Sequence, residues 1–199
     1  LTKGLSQSIQ ELTRPSEEKI KNYDTATFYS ISNCQEGLSR VTLGNFLIKR
    51  VVYELQEELP DIKNFGTLSP MQGFADWVKN AEDSKISEII GEQNKLSLNF
   101  LKSKDLKIGD GRIVSNKHAI IKLVAHYLIN EKNKKNLPIN DVCRFHLGNG
   151  AIIDDININA NVSEVGFSRS FGVMVNYLYE LKNIEKNHED YINNKKIII

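Results

Sequence analysis

The stretch TATFYSISNCQEGLSRVTLGNFLIKRVV, residues 25–52, is the part of the chain that decides the fold. Its first eight residues are rich in β-branched and aromatic side chains and too short for a typical helix, so they predict a strand over 25–32. A polar segment with Gly37 follows, and apolar side chains then recur at helical spacing until Pro60. The stretch therefore predicts a strand, a glycine-bearing loop and a helix over residues 44–58.

The loop at this junction is suited to bind a phosphate group. The first N–H groups of a helix have no partner within the helix, and the helix dipole favours an anion there. Gly37 and Gly44 would let the backbone approach closely, and Arg40 adds guanidinium donors. The spacing matches neither the P-loop nor the dinucleotide-binding motif, so this pattern alone favours an ordinary strand-to-helix turn.

Outward from this stretch, strand and helix patterns alternate along the chain. The residues 144–147 and 151–158 flank a Gly-Asn-Gly turn and predict a hairpin. The apolar residues between Phe171 and Leu178 recur at i, i+3, i+4 and i+7, which predicts a helix. The other predicted elements are a strand at 65–69 and helices at 5–12, after Pro70, in short pieces over 84–106, and at 118–130. This order predicts an α/β or α+β fold.

Composition and charge narrow the classes of function. The 199 residues include 26 Lys and Arg against 25 Asp and Glu, a net charge of +1, so no nucleic-acid partner is expected. No apolar run approaches the ~20 residues needed to cross a bilayer, so no membrane partner is expected either. Cys34 and Cys143 are far apart without a CxxC spacing, which argues against a disulfide framework or a structural zinc site. A reducing compartment fits this cysteine content.

The isolated polar residues predict little chemistry by themselves. Ser69 stands before Pro70 and is typical of a turn or cap, and His146 lies between apolar residues and is typical of a core histidine. His118 and His126 share one helix face without a carboxylate or cysteine at ligand spacing, so no metal site is predicted. His188 lies in a charged segment and is predicted to be solvated.

Four segments, in this order, resemble the malonyl-CoA decarboxylase family: ATFYSISNCQEGLSRVTLGNFLIKRVVYELQEELP, FGTLSPMQGFADWV, FHLGNGA and SRSFGVMVNYLYEL. The resemblance runs from about Leu1 to Tyr191 and is loose over 81–138. It implies the fold of the CoA-dependent N-acetyltransferases, a mixed sheet flanked by helices, with splayed central strands that form a cleft for CoA.

The resemblance also implies a domain organisation. Residues 1–199 would form a single catalytic-domain segment, cut from a longer protein at the N-terminus and also at the C-terminus. The family's helical domain would lie upstream of Leu1, and a homo-oligomer would form through that domain. We expect a bacterial cytoplasm, or a mitochondrion or peroxisome in a eukaryote.

The same resemblance implies the site residues. Ser69 in TLSP and His146 in FHLGNG fall on the family's proton acceptor and proton donor, and both would contact malonyl-CoA. Tyr179 and Asn176 in VNYLY are secondary candidates. The CoA-binding loop falls on Ser39, Arg40, Val41, Thr42, Leu43, Gly44 and Asn45, whose backbone would meet the pyrophosphate. This chain has Thr42 where family members have Glu, and Asp155 where they tend to have Arg.

The activity implied is the conversion of malonyl-CoA to acetyl-CoA and CO₂. Loss of CO₂ leaves charge on a thioester enolate, so the site must hold the carboxylate, stabilise the oxyanion and protonate the α-carbon. The thioester carbonyl is already an electron sink, so neither a metal nor a cofactor is expected. Two alternatives stay open: a CoA-dependent acyltransferase of the same fold, and a non-catalytic CoA-binding module, which Thr42 and Asp155 motivate.

Overall fold

The structure is a computed structural model that describes residues 1–13, 22–30, 43–92 and 98–199, and the side chains of 43–47 lie outside the described part. The described strands are β1 (Thr25–Tyr29), β2 (Asn64–Pro70), β3 (Ile152–Asn157) and β4 (Met174–Leu178). The described helices are α1 (Ile9–Thr13), α2 (Leu43–Glu58), α3 (Phe74–Asn80), α4 (Asp83–Ile90), α5 (Gly111–Ser115), α6 (Lys117–Ile129), α7 (Asp141–Gly148), α8 (Glu164–Ser170) and α9 (Ile184–Asn194), with a 3₁₀ turn at Asn99–Lys102.

The four strands form one sheet in the order β1-β2-β4-β3. β1 and β2 are parallel, with Thr25 opposite Asn64 and Tyr29 opposite Leu68. Parallel neighbours need a crossover, and α2 lies between them in the chain. The strand, helix and strand predicted from residues 25–69 are therefore confirmed. The splay predicted between these strands stays a prediction, because residues 31–42 lie outside the described part.

The pairing of β2 with β4 makes the sheet mixed. Tyr179, the residue after β4, donates its N–H to the carbonyl of Phe65 at 2.7 Å, and the Tyr177 carbonyl lies beside Gly66. A later residue of β2 thus lies beside an earlier residue of the β4 segment, which means that the two strands are antiparallel. β2 has parallel and antiparallel neighbours, and its Phe65 and Leu68 are fully buried. The predicted class, a mixed sheet with flanking helices, is confirmed.

The chain forms two compact units. The first comprises residues 1–69, 145–155 and 175–199, and it includes β1 and nearly all of β2 and β4. The second comprises residues 70–144 and 156–174 and is mainly helical. Its core contains an aromatic cluster in which the Phe74 ring lies 5.6 Å from Tyr127 and 6.1 Å from Phe171. Among the described residues, no helix combines the length and the hydropathy of a membrane-spanning segment.

The hairpin predicted around residues 144–158 is wrong in its first half. Residues 144–147 belong to helix α7, whereas the second half forms β3 as predicted. The side chain of Asn140 accepts the N–H of Cys143 at 2.8 Å and caps the first turn of α7. The four residues 144–147 are too few to show a helical period. The capping residue Asn140 is the part of the sequence that indicates a helix here.

The helix predicted over residues 171–178 is also wrong. Helix α8 ends at Ser170, and Phe171 then adopts a left-handed backbone with φ of 54°, which breaks the continuity of the apolar pattern. Met174–Leu178 forms β4, and its first four residues are buried. A strand covered on both faces shows no alternation of polar and apolar residues, so its apolar spacing resembled a helix by coincidence.

Helix α9 supports the turn between α7 and β3. Gly150 has φ of 81°, and a Cβ there would overlap the carbonyl of Ile184 at the start of α9. Asn187 donates to the Gly150 carbonyl at 3.3 Å, and His188 Nδ1 donates to the Gly148 carbonyl at 2.6 Å. His188 is half-buried and bonded, which differs from the predicted solvated position.

Candidate active site

Ser69 lies near the C-terminal end of β2 with Thr67 on the same face of the strand. Residues two apart in a strand point to the same side of the sheet. Ser69 Oγ donates a hydrogen bond to Thr67 Oγ1 at 2.9 Å, and both side chains are buried. Pro70 follows at the end of the strand, where a missing N–H costs the sheet least. The strand therefore presents a buried hydroxyl pair at its end.

Helix α7 brings His146 to this pair. Cys143, His146 and Leu147 are spaced i, i+3 and i+4, and all three are buried, so they form the inward face of the helix. The distance from His146 Nε2 to Ser69 Oγ is 3.0 Å. The structure thus brings together the two residues that the family resemblance assigned to catalysis.

Two tyrosines of the β4 segment hold the imidazole. The hydroxyl of Tyr179 lies 2.8 Å from His146 Nδ1. The ring of Tyr177 stacks on the imidazole, with 4.4 Å between centroids and 23° between planes. His146 is therefore contacted at both nitrogens and on one face, which leaves the ring a single orientation.

Burial sets the protonation of these groups. Removal of water disfavours the imidazolium, and this lowers the pKa of His146 from 6.5 to about 3. Burial also raises the pKa of the Tyr179 phenol above its ordinary value. At neutral pH the site therefore contains a hydroxyl, a neutral imidazole and a neutral phenol within hydrogen-bond distance of one another.

This arrangement favours donation of a proton over its abstraction. In a serine nucleophile activated by histidine, a third group commonly orients the base and stabilises the imidazolium. Here the group on Nδ1 is a neutral phenol, which supplies no negative charge to an imidazolium. The row of hydroxyl, imidazole and phenol is suited to hold an oxygen-rich substrate and deliver a proton to it.

Asn176, a secondary candidate, has a different position from Tyr179. Its Nδ2 donates to the carbonyls of Ser6 at 3.1 Å and Thr67 at 3.0 Å. Since neighbours in a strand point to opposite faces, Asn176 faces away from the side that carries Tyr177. Asn176 therefore ties the N-terminal segment to β2, whereas Tyr179 contacts His146.

The predicted CoA-binding loop lies largely outside the described residues. The structure does not describe Ser39, Arg40, Val41 or Thr42, and it describes Leu43, Gly44 and Asn45 by their backbone alone. That backbone forms the first turn of the 16-residue helix α2. The last three residues predicted to bind phosphate therefore open helix α2.

Thr67 and Tyr177 were not among the candidates from the sequence. A usable signal existed, because each lies two residues before a candidate in a strand, Thr67 before Ser69 and Tyr177 before Tyr179. Strand alternation places such pairs on one face. Because residues 171–178 were predicted to be a helix, strand alternation was not applied to Tyr177 and Tyr179.

No metal centre is formed by the described residues, among which no group of three or more His, Cys, Asp or Glu side chains could hold an ion. His126, one of the helical histidines, binds the carboxylate of Glu131 at 3.0 Å instead. The same carboxylate pairs with Lys85 at 2.6 Å. This cluster belongs to the second unit and contains none of the residues around Ser69.

Comparison with known proteins identifies the family of the chain. The family model described as the malonyl-CoA decarboxylase C-terminal domain matches residues 1–199. The mitochondrial malonyl-CoA decarboxylase of Anser anser anser is 36% identical over 219 residues, which cover 99% of this chain and 43% of that protein. The Rattus norvegicus enzyme is also 36% identical, over 99% of this chain and 44% of its own length.

Solved structures of malonyl-CoA decarboxylases are also similar to this chain. The crystal structure of malonyl-CoA decarboxylase from Rhodopseudomonas palustris has a TM-score of 0.89 and 39% identity, over 100% of this chain and 46% of that one. The crystal structure of malonyl-CoA decarboxylase from Agrobacterium vitis has a TM-score of 0.89 and 37% identity, and the match covers 100% of this chain and 49% of that one. The chain spans less than half the length of these relatives. With its whole length matched, the chain belongs to the malonyl-CoA decarboxylase C-terminal domain family.

Proposed function

We propose that this chain carries the reaction site of a malonyl-CoA decarboxylase, which converts malonyl-CoA to acetyl-CoA and CO₂. The observation that carries the proposal is the 3.0 Å contact between Ser69 Oγ and His146 Nε2 at the buried end of β2. The names of the related enzymes indicate the substrate. Ser69 and His146 supply the two functions that the reaction needs: a hydroxyl that binds an oxygen atom of the substrate, and a proton for its α-carbon.

The reaction runs as follows in this site. The bond between the carboxylate and the α-carbon breaks, CO₂ leaves, and the electron pair moves into the thioester to form an enolate. On substrate binding the Ser69 hydroxyl turns from Thr67 to donate a hydrogen bond to a substrate oxygen, and His146 delivers a proton to the α-carbon. A proton from water then restores the imidazole, so each turnover consumes one proton. The thioester carbonyl accepts the electrons, and the proposal includes no metal or cofactor.

The nucleotide end of CoA binds at the N-terminus of α2 in this proposal. Residues 39–45 precede or open this helix, and its first N–H groups lack partners within the helix. CoA is held there while the malonyl group reaches Ser69 and His146. Binding of the nucleotide and the chemistry therefore use different residues, which a mutation can separate.

The test is CO₂ release from malonyl-CoA by the full-length protein and its His146→Gln variant. Loss of a positioned acid should lower kcat by about 10²–10⁴-fold, with CoA affinity nearly unchanged in calorimetry. Ser69→Ala should act similarly. His118→Gln is the matched control, because His118 is exposed on α6 and should leave the rate unchanged.

Full activity of His146→Gln would end the proposal. The assay contains no acceptor amine, so it also separates this function from the acyltransferase alternative. Release of free CoA that depends on an added amine, with no CO₂, would favour the acyltransferase. CoA binding without either product would favour a non-catalytic module.

A further inference from the structure

We propose that His146 rests as its neutral Nε2–H tautomer and that Thr67 is a positioning residue that selects this tautomer through Ser69. The proposal rests on hydrogen-bond directions within the site. Its kinetic consequence rests on the proposed function, whereas the tautomer itself is independent of it.

The first argument starts from the single proton of Ser69. That hydroxyl donates to Thr67 Oγ1 at 2.9 Å, and a serine has one O–H to give. The second contact of the same Oγ is His146 Nε2 at 3.0 Å. Since the serine proton is engaged with Thr67, the oxygen acts as acceptor toward the imidazole. Nε2 must then carry a hydrogen.

The second argument starts from the other nitrogen of the imidazole. Tyr179 is 2% exposed, and within the described part of the chain its hydroxyl has one hydrogen-bond partner, His146 Nδ1 at 2.8 Å. A buried O–H without an acceptor costs about 1–3 kcal/mol. Thr67 is also buried, and its hydroxyl has one described partner, Ser69, so one of the two end hydroxyls lacks an acceptor in either direction. The donation from Ser69 to Thr67 assigns that place to Thr67. The phenol therefore donates to Nδ1, which must present its lone pair, and both arguments give the same tautomer.

The imidazole of His146 has two tautomers only when it is neutral, because an imidazolium carries hydrogens on both nitrogens. Burial keeps the imidazole neutral by lowering the pKa of His146 to about 3. Hydrogen bonds thus run in one direction, from Tyr179 to His146, from His146 to Ser69, and from Ser69 to Thr67. Thr67 ends this series as its acceptor.

The tautomer matters because it decides what His146 offers the substrate. The Nε2–H form presents a donor toward the malonyl group, as proton delivery to the α-carbon needs. The Nδ1–H form presents a lone pair and cannot give a proton from that position. Thr67 touches no reacting atom in this scheme, and it acts through Ser69 and His146.

The direct test is nitrogen NMR of the full-length protein with ¹⁵N-labelled histidine imidazoles, at pH 7 and without substrate. The resonances of His146 are identified by their absence in His146→Gln. A protonated Nε2 with a lone pair on Nδ1 supports the proposal. A protonated Nδ1, or protons on both nitrogens, overturns it. This readout stands even if the protein releases no CO₂, so failure of the proposed function is seen separately.

The role of Thr67 is tested with Thr67→Val, which replaces the hydroxyl by a methyl group of similar shape, and Thr67→Ser, which keeps the acceptor. In Thr67→Val the protonated fraction of Nε2 should fall and kcat should drop by about tenfold or more, with KM unchanged. Thr67→Ser should restore both values. Wild-type tautomer and wild-type kcat in folded Thr67→Val would remove Thr67 from the scheme.

If Thr67→Val does not fold, Tyr179→Phe tests the same scheme from Nδ1 and should also lower the protonated fraction of Nε2. An unchanged tautomer in folded Tyr179→Phe would contradict the second argument. The wild-type spectrum decides the tautomer in either case.

Discussion

The ring of Tyr177 lies flat against the imidazole of His146, with 4.4 Å between their centroids. Two residues later, Tyr179 binds Nδ1 of the same imidazole at 2.8 Å. Both contacts depend on the alternation of β4, since residues two apart share a face. A shift of β4 by one residue would replace the two tyrosines by Asn176 and Leu178, neither of which offers a stacking ring. The register of β4 against β2 therefore fixes the orientation of His146.

Tyr179→Phe should keep the packing and remove the hydroxyl from Nδ1. We expect kcat for decarboxylation to fall by about tenfold or more while KM stays within twofold, because the phenol orients the proton donor and contacts no CoA group in the proposal. Steady-state kinetics on malonyl-CoA measure both values.

Tyr127→Phe is the matched control for that variant. Tyr127 is also buried, and its hydroxyl donates to the carbonyl of Gln72 at 3.1 Å within the second unit. Its loss should lower stability by a similar amount, about 1 kcal/mol, and leave kcat unchanged. Equal kcat losses in the two variants would mean that the effect of Tyr179 is a general loss of stability.

The sequence predicted the parts of the fold that carry a local signal. Helix α2 has a wide apolar face over four turns, and β2 is a short segment that contains Phe65 and Leu68 and is bounded by Pro70, so the sequence predicts both elements. Helix α7 was missed because its indicator is one side chain, Asn140, which caps Cys143. Strand β4 was misassigned because burial on both faces removes the alternation that identifies a strand.

The site was less accessible to local reasoning than the fold. Ser69 and His146 are 77 residues apart in sequence, and no periodicity predicts that a strand end and a helix face will meet. Their pairing came from the family resemblance. Thr67 and Tyr177 follow from these two residues only after the strands that carry them are known.

The stability of the protein should depend on pH through His146. Its pKa is about 3 in the folded state against 6.5 for an ordinary histidine. The unfolded chain therefore takes up a proton as the pH falls below 6.5, and the folded state does not until about pH 3. Stability is lost over this window at up to about 1.4 kcal/mol per pH unit.

Urea unfolding of wild type and His146→Gln at pH 7 and pH 5 isolates this contribution, because the other titrating groups are common to both. Wild type should lose about 2 kcal/mol more than the variant between these two pH values. Parallel losses in the two proteins would show that His146 is accessible to protons in the folded state.

A Cβ at position 66 should strain the contact between the N-terminal segment and β2. It would overlap the Leu5 side chain and lie 3.1 Å from the Tyr177 carbonyl oxygen. Gly66→Ala should therefore destabilise the protein by about 1–3 kcal/mol. In a Leu5→Ala background the cost should be smaller, because the overlapping methyl groups are absent. Denaturant unfolding of the four proteins in this cycle gives the coupling, and a coupling of zero would place Leu5 away from Gly66 in solution.

Gly44→Val should weaken CoA binding if the phosphates bind at the start of α2. Gly44 lies in the first turn of that helix, where a branched side chain would obstruct close approach of a phosphate to the N–H groups. We expect the Kd for CoA in calorimetry to rise by about tenfold, a loss of about 1.4 kcal/mol. Gly111→Val is the matched control, because Gly111 opens helix α5 and a Cβ there meets no atom within 4 Å. It should leave the Kd unchanged. An unchanged Kd in folded Gly44→Val would move the phosphate site away from this turn, and equal increases in both variants would point to a general effect of valine at a helix start.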